Sequence, residues 1–355
     1  MSWLPPDDED DALDAWDDSS YRARPNPKAN RPRTKRRPEH ADSVVGRVVT
    51  VDRGRYGVLV GAGATGDSGP GDGEQREITC TRARELRKEA IVNGDEVDVV
   101  GDTSGDEGSL ARIVRIRPRR TLLRRSADDS DAVERVVVAN AEQLLIVVAA
   151  ANPEPRARLV DRYLVAAYDA GIHPLLVVTK TDLADPAPFL ANFEGLDIPV
   201  FTSAKGAAPL AELEPVLRDR STVAVGHSGV GKSTLVNALV PGAARATGVV
   251  NAVTGRGRHT SSSTVSLKLP GGGWIIDTPG VRSFGLGHVD PDNVIRGFTD
   301  LAAVAEDCPR GCTHLADAPD CALDEAVADG RLTAERVDSM RRLLATLRPG
   351  ISRAD

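Results

Sequence analysis

The pattern of apolar and polar positions divides the chain into an all-β region followed by an α/β region. Between Val44 and Arg125, short strand-like runs are separated by turn signals such as Asn93-Gly94-Asp95. These runs cover residues 44–51, 56–60, 77–81, 96–100 and 111–116. Five short strands in about 80 residues suit a small barrel, and the oligonucleotide-binding (OB) barrel is the commonest solution of that size. We therefore predict an OB-fold domain over residues 44–125.

From Glu142 onward, continuous apolar runs alternate with helical patterns. The apolar runs predict buried strands at 144–150, 175–178, 198–201 and 221–225, with an amphipathic helix at 158–170. Strands are also predicted at 265–269 and 274–276, and a helix from Glu325 to Leu347. This alternation is typical of an α/β domain built on a parallel sheet.

Composition supports a globular protein away from membranes. The 355 residues suffice for two or three domains, and 41% of them are hydrophobic. No apolar run approaches the roughly 20 residues that span a bilayer, and the N-terminus is acidic where a signal peptide would be basic. We expect a cytoplasmic protein that does not engage a membrane.

The formal net charge of −7 averages over very uneven segments. Residues 1–20 are acidic and residues 21–40 are basic and rich in Pro, so neither block can bury a core. Residues 1–43 are therefore predicted to be a disordered tail, and residues 348–355 form a second tail. The basic half of the first tail either contacts RNA phosphates or is simply solvated.

The barrel region carries a basic face, which either contacts RNA or only keeps the surface soluble. Its members are Arg82, Arg84, Arg87, Lys88, Arg115, Arg117, Arg119, Arg120, Arg124 and Arg125.

A P-loop follows the strand predicted at 221–225. The run is Gly226-His227-Ser228-Gly229-Val230-Gly231-Lys232-Ser233, and Thr234 opens a helical pattern. Backbone N–H groups between a strand and a helix can surround a phosphate. Lys232 would reach the β- and γ-phosphates, and the Ser233 hydroxyl would hold Mg²⁺. The alternative is a glycine-rich turn with a chance Lys-Ser pair.

Two further motifs are of the kind that reads guanine. Thr179-Lys180-Thr181-Asp182 ends one predicted strand, and its Asp182 carboxylate would accept from the N1–H and 2-amino groups of the base. Ser203-Ala204-Lys205 follows the next strand and would supply a backbone N–H to O6. The first motif disfavours an ATPase.

Two switch elements complete the set. The segment 247–264 is rich in Gly, Ser and Thr and suits a mobile switch in which the Thr260 hydroxyl meets Mg²⁺. Asp277-Thr278-Pro279-Gly280 is a D-x-x-G element, where Asp277 would hold Mg²⁺ through water and the Gly280 N–H would sense the γ-phosphate. Val281 cannot orient water, so His259 is the candidate for that role unless it is merely a solvated loop residue.

Cys308, Cys312, His314 and Cys321 lie within 14 residues near the C-terminus. Their spacing suits one closed, structural Cys₃His zinc site, since a disulfide is not expected in the cytosol. Scattered core thiols are the alternative, and Asp320 is a second candidate for the fourth ligand.

The order of these motifs is circularly permuted, because the two base-reading motifs precede the P-loop. With its flanking modules, the chain resembles the ribosome small subunit-dependent GTPase A family (RsgA/YjeQ). The resemblance implies an OB barrel, a permuted GTPase domain at 126–287 and a zinc module at 288–347. It also implies GTP hydrolysis to GDP coupled to late maturation of the small (30S) ribosomal subunit, with that subunit and its rRNA as partners; we expect a monomer. A GTP-gated RNA-binding factor with only incidental hydrolysis is the alternative.

Overall fold

The architecture is that of a computed structural model, which describes residues 40, 42–52, 54–61, 75–126, 134–241, 264–278, 284, 286 and 289–347. The predicted tails therefore lie outside the described residues, apart from His40, Asp42 and Ser43. Three predicted site residues, His259, Thr260 and Gly280, also lie outside them.

The N-terminal region is a closed five-stranded barrel, as predicted. Its strands run in the order β1-β2-β3-β5-β4, and β4 pairs back onto β1. Their bounds are β1 (Val44–Asp52), β2 (Arg55–Val60), β3 (Arg76–Arg82), β4 (Glu96–Gly101) and β5 (Ala111–Ile116), with a short 3₁₀ turn at Arg84–Leu86. Alternate inward residues such as Val58, Ile78 and Val97 fill the barrel, because successive side chains of a strand point to opposite faces.

A two-stranded antiparallel hairpin links the barrel to the next domain. It consists of β6 (Leu122–Ser126) and β7 (Glu134–Ala139). This element was not predicted from the sequence.

The second domain is built on six strands in the order β10-β9-β8-β11-β13-β12. All neighbouring pairs are parallel except β12–β13, which is an antiparallel hairpin. The strands are β8 (Gln143–Ala149), β9 (His173–Thr179), β10 (Val200–Ser203), β11 (Ser221–Val225), β12 (Val265–Lys268) and β13 (Trp274–Asp277). Its helices within the described residues are α1 (Ala157–Asp169), α2 (Ala187–Leu190), α3 (Leu210–Leu217) and α4 (Lys232–Leu239), with a 3₁₀ turn at Ala191–Phe193. The predicted α/β class is confirmed.

The C-terminal module contains four helices. They are α5 (Pro291–Arg296), α6 (Thr299–Ala305), α7 (Ala322–Ala328) and α8 (Ala334–Ala345). The single helix predicted from Glu325 to Leu347 is wrong. Gly330 adopts a left-handed φ of 71°, and the Thr333 side chain caps a new helix by accepting the Arg336 N–H. Across the described ranges, no helix has the length and apolar character needed to cross a membrane.

The two faces of the six-stranded sheet belong to different cores. Leu145 and Val147 of β8 pack with α3 and α4 on one face. Leu144 and Ile146 face the other core, which also contains Leu164 of α1. That second core continues into the C-terminal module through residues of α7 and α8, namely Leu323, Val337, Met340, Leu343 and Leu344. The module thus shares one core with the α1 face of the sheet, while the predicted domain boundaries stay predictions.

The barrel and the six-stranded sheet are joined edge to edge. Thr50 of β1 pairs with Val265 of β12, so the hydrogen-bonded ladder is continuous over eleven strands. Arg47 lies at this junction with 2% of its surface exposed, and it donates to the Ser221 hydroxyl at 2.6 Å. Its guanidinium also lies 5.5 Å from the centre of the Trp274 ring, and burial lowers its pKa to about 10. Arg47 therefore contacts the first residues of β11 and β13, the strands that lead to the P-loop and to Asp277.

Candidate nucleotide-binding site

The predicted nucleotide motifs converge at one edge of the parallel sheet. β9 leads into Thr179–Asp182, β10 into Ser203–Lys205, β11 into Gly226–Thr234, and β13 ends at Asp277. These four strands are parallel, so their carboxyl ends meet at the same edge, which is where doubly wound sheets bind ligands.

The P-loop backbone depends on glycine, as Gly226 and Gly231 illustrate. At Gly226 a Cβ atom would collide with the Val147 carbonyl oxygen of β8. Gly231 has a φ of 93° and is the N-cap of α4, a conformation that L side chains rarely adopt. Between them His227, Ser228 and Gly229 are exposed, whereas the Val230 side chain is buried. The loop therefore presents its backbone at the surface while one valine anchors it.

The first turn of α4 supplies the side chains that face this edge. Lys232 forms an ion pair with the Asp277 carboxylate, and Ser233 and Thr234 are exposed beside it. Thr278 holds the end of β13 in place, because its buried hydroxyl donates to the Ala224 carbonyl at 3.0 Å. The P-loop lysine and the D-x-x-G aspartate are thus in direct contact although they are 45 residues apart.

Thr179 connects the first guanine motif to the P-loop. Its buried hydroxyl lies 3.1 Å from the Val148 carbonyl and also contacts the Val230 carbonyl. The next residue, Lys180, has a φ of 56° and donates from its ammonium to the Asn152 carbonyl. Sequence reasoning missed Asn152, and the only local signal was a polar residue placed directly after the apolar run of β8.

The two guanine motifs are also joined to each other. The Lys205 N–H donates to Oδ1 of Asp182 at 2.9 Å, and the Thr181 N–H donates to the Ser203 carbonyl at 3.3 Å. Asp182 and Lys205 are exposed, and Ala204 lies between Ser203 and Lys205. The T-K-T-D and S-A-K loops therefore form one hydrogen-bonded surface next to the P-loop.

A small cavity of about 110 Å³ adjoins the P-loop on the α1 side. His227 and Val230 form its P-loop wall, and Pro153, Arg156 and Leu159 form part of the opposite wall. No sequence motif predicted this cavity.

The three cysteines and His314 form one Cys₃His group. Their ligand atoms all lie within 4.8 Å of one another, with Cys308 Sγ 3.9 Å from Cys321 Sγ and 4.0 Å between Cys321 Sγ and His314 Nδ1. Tetrahedral Zn–S bonds of about 2.3 Å would place two sulfurs about 3.8 Å apart, so the arrangement fits zinc. Asp320 is exposed and is not part of the group.

The pKa shifts of His314 and Cys308 act in opposite directions on metal binding. Burial lowers the pKa of His314, which favours the neutral imidazole that ligates metals. Burial also raises the pKa of the Cys308 thiol to about 11, although the Ala322 N–H donates to its sulfur. Without a cation the Cys308 thiol would stay protonated, so a metal would have to drive its ionisation.

Comparison with known proteins decides the family. The family model for the RsgA GTPase matches residues 116–287. The Small ribosomal subunit biogenesis GTPase RsgA of Pseudomonas aeruginosa (strain LESB58) is 41% identical over 270 residues, which cover 73% of this chain and 76% of that protein. The chain belongs to the RsgA/YjeQ family of GTPases. The protein of the same name from Azotobacter vinelandii is 38% identical over 284 residues, covering 78% of this chain and 80% of that protein.

Two solved structures share the architecture of this RsgA-family chain. YjeQ from Thermotoga maritima has a TM-score of 0.61 and 25% identity, and the match covers 86% of this chain and 98% of that one. YloQ, described as a circularly permuted GTPase, has a TM-score of 0.60 and 25% identity, covering 88% and 97%. The permuted motif order read from the sequence is therefore a property of the family.

Proposed function

We propose that this RsgA-family GTPase hydrolyses GTP at the P-loop edge and couples hydrolysis to late maturation of the small ribosomal subunit, acting as a cytoplasmic monomer bound to that subunit and its rRNA. The proposal rests on one observation: hydrogen bonds join the two base-reading loops to each other and join the first of them to the P-loop. Thr179 joins Val230, and Asp182 joins Lys205. The names of the relatives supply the ribosomal context.

In the proposed site, the P-loop N–H groups from Gly226 to Thr234 surround the phosphates. Lys232 contacts the β- and γ-phosphates, which compete with Asp277 for its ammonium. The exposed Ser233 hydroxyl and the Asp277 carboxylate are oxygen donors of the kind Mg²⁺ prefers, and Asp277 acts through water. When bound, Mg²⁺ neutralises charge that develops on the phosphates.

Guanine selection is assigned to the joined loops. The Asp182 carboxylate accepts from the N1–H and 2-amino groups of the base while its Oδ1 is oriented by the Lys205 N–H. The Lys180 stem lies along the base, and the Ser203–Lys205 backbone donates to O6. Adenine offers neither donor in that pattern, so the site is assigned to GTP and GDP.

The remaining catalytic roles fall on residues outside the described ranges. His259 positions the attacking water, Thr260 binds Mg²⁺ and the γ-phosphate, and the Gly280 N–H senses the γ-phosphate. These roles rest on the motif positions and on the family. One structural zinc per chain is likewise proposed for Cys308, Cys312, His314 and Cys321, whose distances support it.

Two sets of arginines in the barrel region differ in the partners that they already have, and we assign RNA contact to one set. Arg82, Arg84 and Arg112 line a cavity of about 470 Å³ at the seam between β3 and β5. Their side chains have no ion-pair or hydrogen-bond partner within the described part of the chain, so their charges are available to phosphate.

The arginines of the second set are already paired with carboxylates of β4 and the turn before it. Arg117 pairs with Asp98 at 2.8 Å, Arg119 pairs with Asp95 at 2.7 Å, and Arg120 lies 3.5 Å from Glu96. Phosphate would have to displace an existing partner at these positions. Arg115 also belongs to this set, through Asp98.

A pair of matched double variants tests this assignment. Arg82→Gln with Arg112→Gln should lower the slope of log affinity for the 30S subunit against log salt by roughly two units, since each lost phosphate contact removes about one. Arg115→Gln with Arg120→Gln removes the same charge and should change the slope little. Equal slopes for the two variants would refute the division.

Turnover with and without 30S subunits tests the function itself. A large stimulation of GTP hydrolysis by the subunit is expected. Tight, GTP-dependent subunit binding without stimulation would instead identify a GTP-gated RNA-binding factor whose hydrolysis is incidental. Hydrolysis of ATP at a comparable kcat/KM would contradict the guanine assignment.

A further inference from the structure

The barrel contacts the nucleotide domain at the residue where the first switch segment ends. Asn93 lies in the turn before β4, and its side-chain Nδ2 donates to the Thr264 carbonyl at 2.7 Å. Thr264 directly precedes β12 and is the last residue of the segment 247–264, which contains His259 and Thr260. The two bonded residues are 171 positions apart, so this contact exists only because the barrel docks on the sheet.

The same junction leads directly to the D-x-x-G aspartate. Val265, the first residue of β12, pairs with Thr50 of the barrel on one side and with Asp277 of β13 on the other. Neighbouring strands lie about 4.8 Å apart, so the barrel backbone lies roughly 10 Å from Asp277 across one intervening strand. A displacement of the barrel therefore reaches the nucleotide site within two strand spacings.

The turn that carries Asn93 is held rigidly in place. The Ala139 N–H donates to the Asn93 carbonyl at 3.0 Å, and the Gly94 N–H donates to the Val48 carbonyl of β1 at 2.9 Å. Asp95, whose side chain is fully buried, is bound by Arg119 at 2.7 Å and 2.8 Å. The Asn93 side chain is 1% exposed, so its amide has little freedom to turn away.

We propose that Asn93 is a positioning residue that fixes the end of the first switch segment to the barrel, and that subunit binding to the barrel acts on hydrolysis through this contact. With Thr264 fixed, His259 is only five residues away, and an extended chain of five residues spans at most about 18 Å. Thr264 is the described residue nearest in sequence to the groups proposed to act on water and Mg²⁺. This inference rests on the proposed function.

Asn93→Leu is the primary test. Leucine has a similar size and no donor, and it also removes the Asn93 Oδ1 atom, a buried acceptor with no partner within the described residues. The fold should therefore tolerate it. We expect 30S-stimulated turnover to fall by about tenfold or more, with subunit affinity and GTP affinity close to those of the wild-type protein.

Lys268→Ala is the matched control. Lys268 lies at the other end of β12 and donates to Gln75, next to the barrel strand β3, at 2.6 Å in an exposed contact. This contact also joins the barrel to β12, but it does not involve Thr264. Both basal and stimulated rates of K268A should therefore stay near those of the wild-type protein. Amide hydrogen exchange over residues 264–268 should accelerate in N93L and stay unchanged in K268A.

The outcomes separate the inference from the proposed function. If 30S subunits stimulated the wild-type protein and N93L equally, that result would overturn the role of Asn93. A parallel loss of subunit affinity and stimulation in N93L would overturn it too, since that result indicates a damaged barrel. A wild-type protein that 30S subunits fail to stimulate would overturn the proposed function, and the coupling with it.

Discussion

Replacing Thr179 with valine should weaken GTP binding without unfolding the protein. Thr179 is 6% exposed, and its hydroxyl contacts two carbonyls, Val148 at the end of β8 and Val230 in the P-loop. Valine keeps the shape of threonine but has no O–H. The change therefore removes the bond between the first guanine motif and the P-loop and leaves the packing intact.

The expected loss of GTP affinity can be estimated from the hydrogen bonds that the Thr179 hydroxyl makes. A hydroxyl carries one proton, so Thr179 donates to one carbonyl at a time. Leaving a buried acceptor without its donor costs about 1–3 kcal/mol. If about half of that cost falls on the P-loop carbonyl, GTP affinity should drop roughly two- to tenfold, because 1.4 kcal/mol corresponds to a factor of ten.

Titration of GTP and GDP into Thr179→Val and Thr222→Val would measure this effect. Thr222 is fully buried and donates to Gln143 at 2.8 Å, but it lies at the start of β11, away from the nucleotide edge. T222V should lower Tm by a similar amount and leave nucleotide affinity unchanged. Wild-type affinity in T179V, or an equal loss in T222V, would refute the reasoning.

Three further predictions concern the base, the metal and the attacking water. Asp182→Asn should weaken GTP binding by roughly 1.5–3 kcal/mol and admit xanthosine nucleotide, measured by nucleotide titration, because the amide offers a donor to the oxygen that replaces the 2-amino group. Elemental analysis should find about one zinc per chain, and Cys312→Ser should lose it and lower Tm while GTP affinity at 25 °C changes little. His259→Ala should cut 30S-stimulated turnover about 10²-fold with nucleotide affinity nearly unchanged, and near-normal stimulated turnover would exclude His259 from that role.

The strands were predictable from the sequence because their signals are local. Residues 111–116 and 221–225 were placed without error, since an alternating pattern and a continuous apolar run each imply one kind of strand. The division between α7 and α8 was missed although its signals, Gly330 and Thr333, are also local. The helical spacing of apolar residues continues on both sides of the break, and a single helix was predicted for that reason.

Some features of the site could likewise be predicted from the local sequence, whereas others depend on contacts between residues far apart in the chain. The P-loop and the guanine motifs are short strings, so their positions could be read directly. The contact of Thr179 with Val230 joins residues 51 positions apart, and Asn93 and Thr264 are 171 positions apart. The local sequence around Thr179 or Asn93 does not indicate either partner. The choice between His314 and Asp320 depended on chain geometry around the cysteines, which spacing alone does not determine.

The single core shared by α1 and the C-terminal helices has a consequence for synthesis on the ribosome. Leu164 of α1 packs in the same cluster as Val337 and Met340, which are translated roughly 170 residues later. At 5–20 residues per second, the apolar face of α1 waits roughly ten to thirty seconds for the helices that cover it. The opposite face is completed earlier by α3 and α4, so we predict that the α1 face of the sheet stays exposed longer during synthesis than the α3–α4 face.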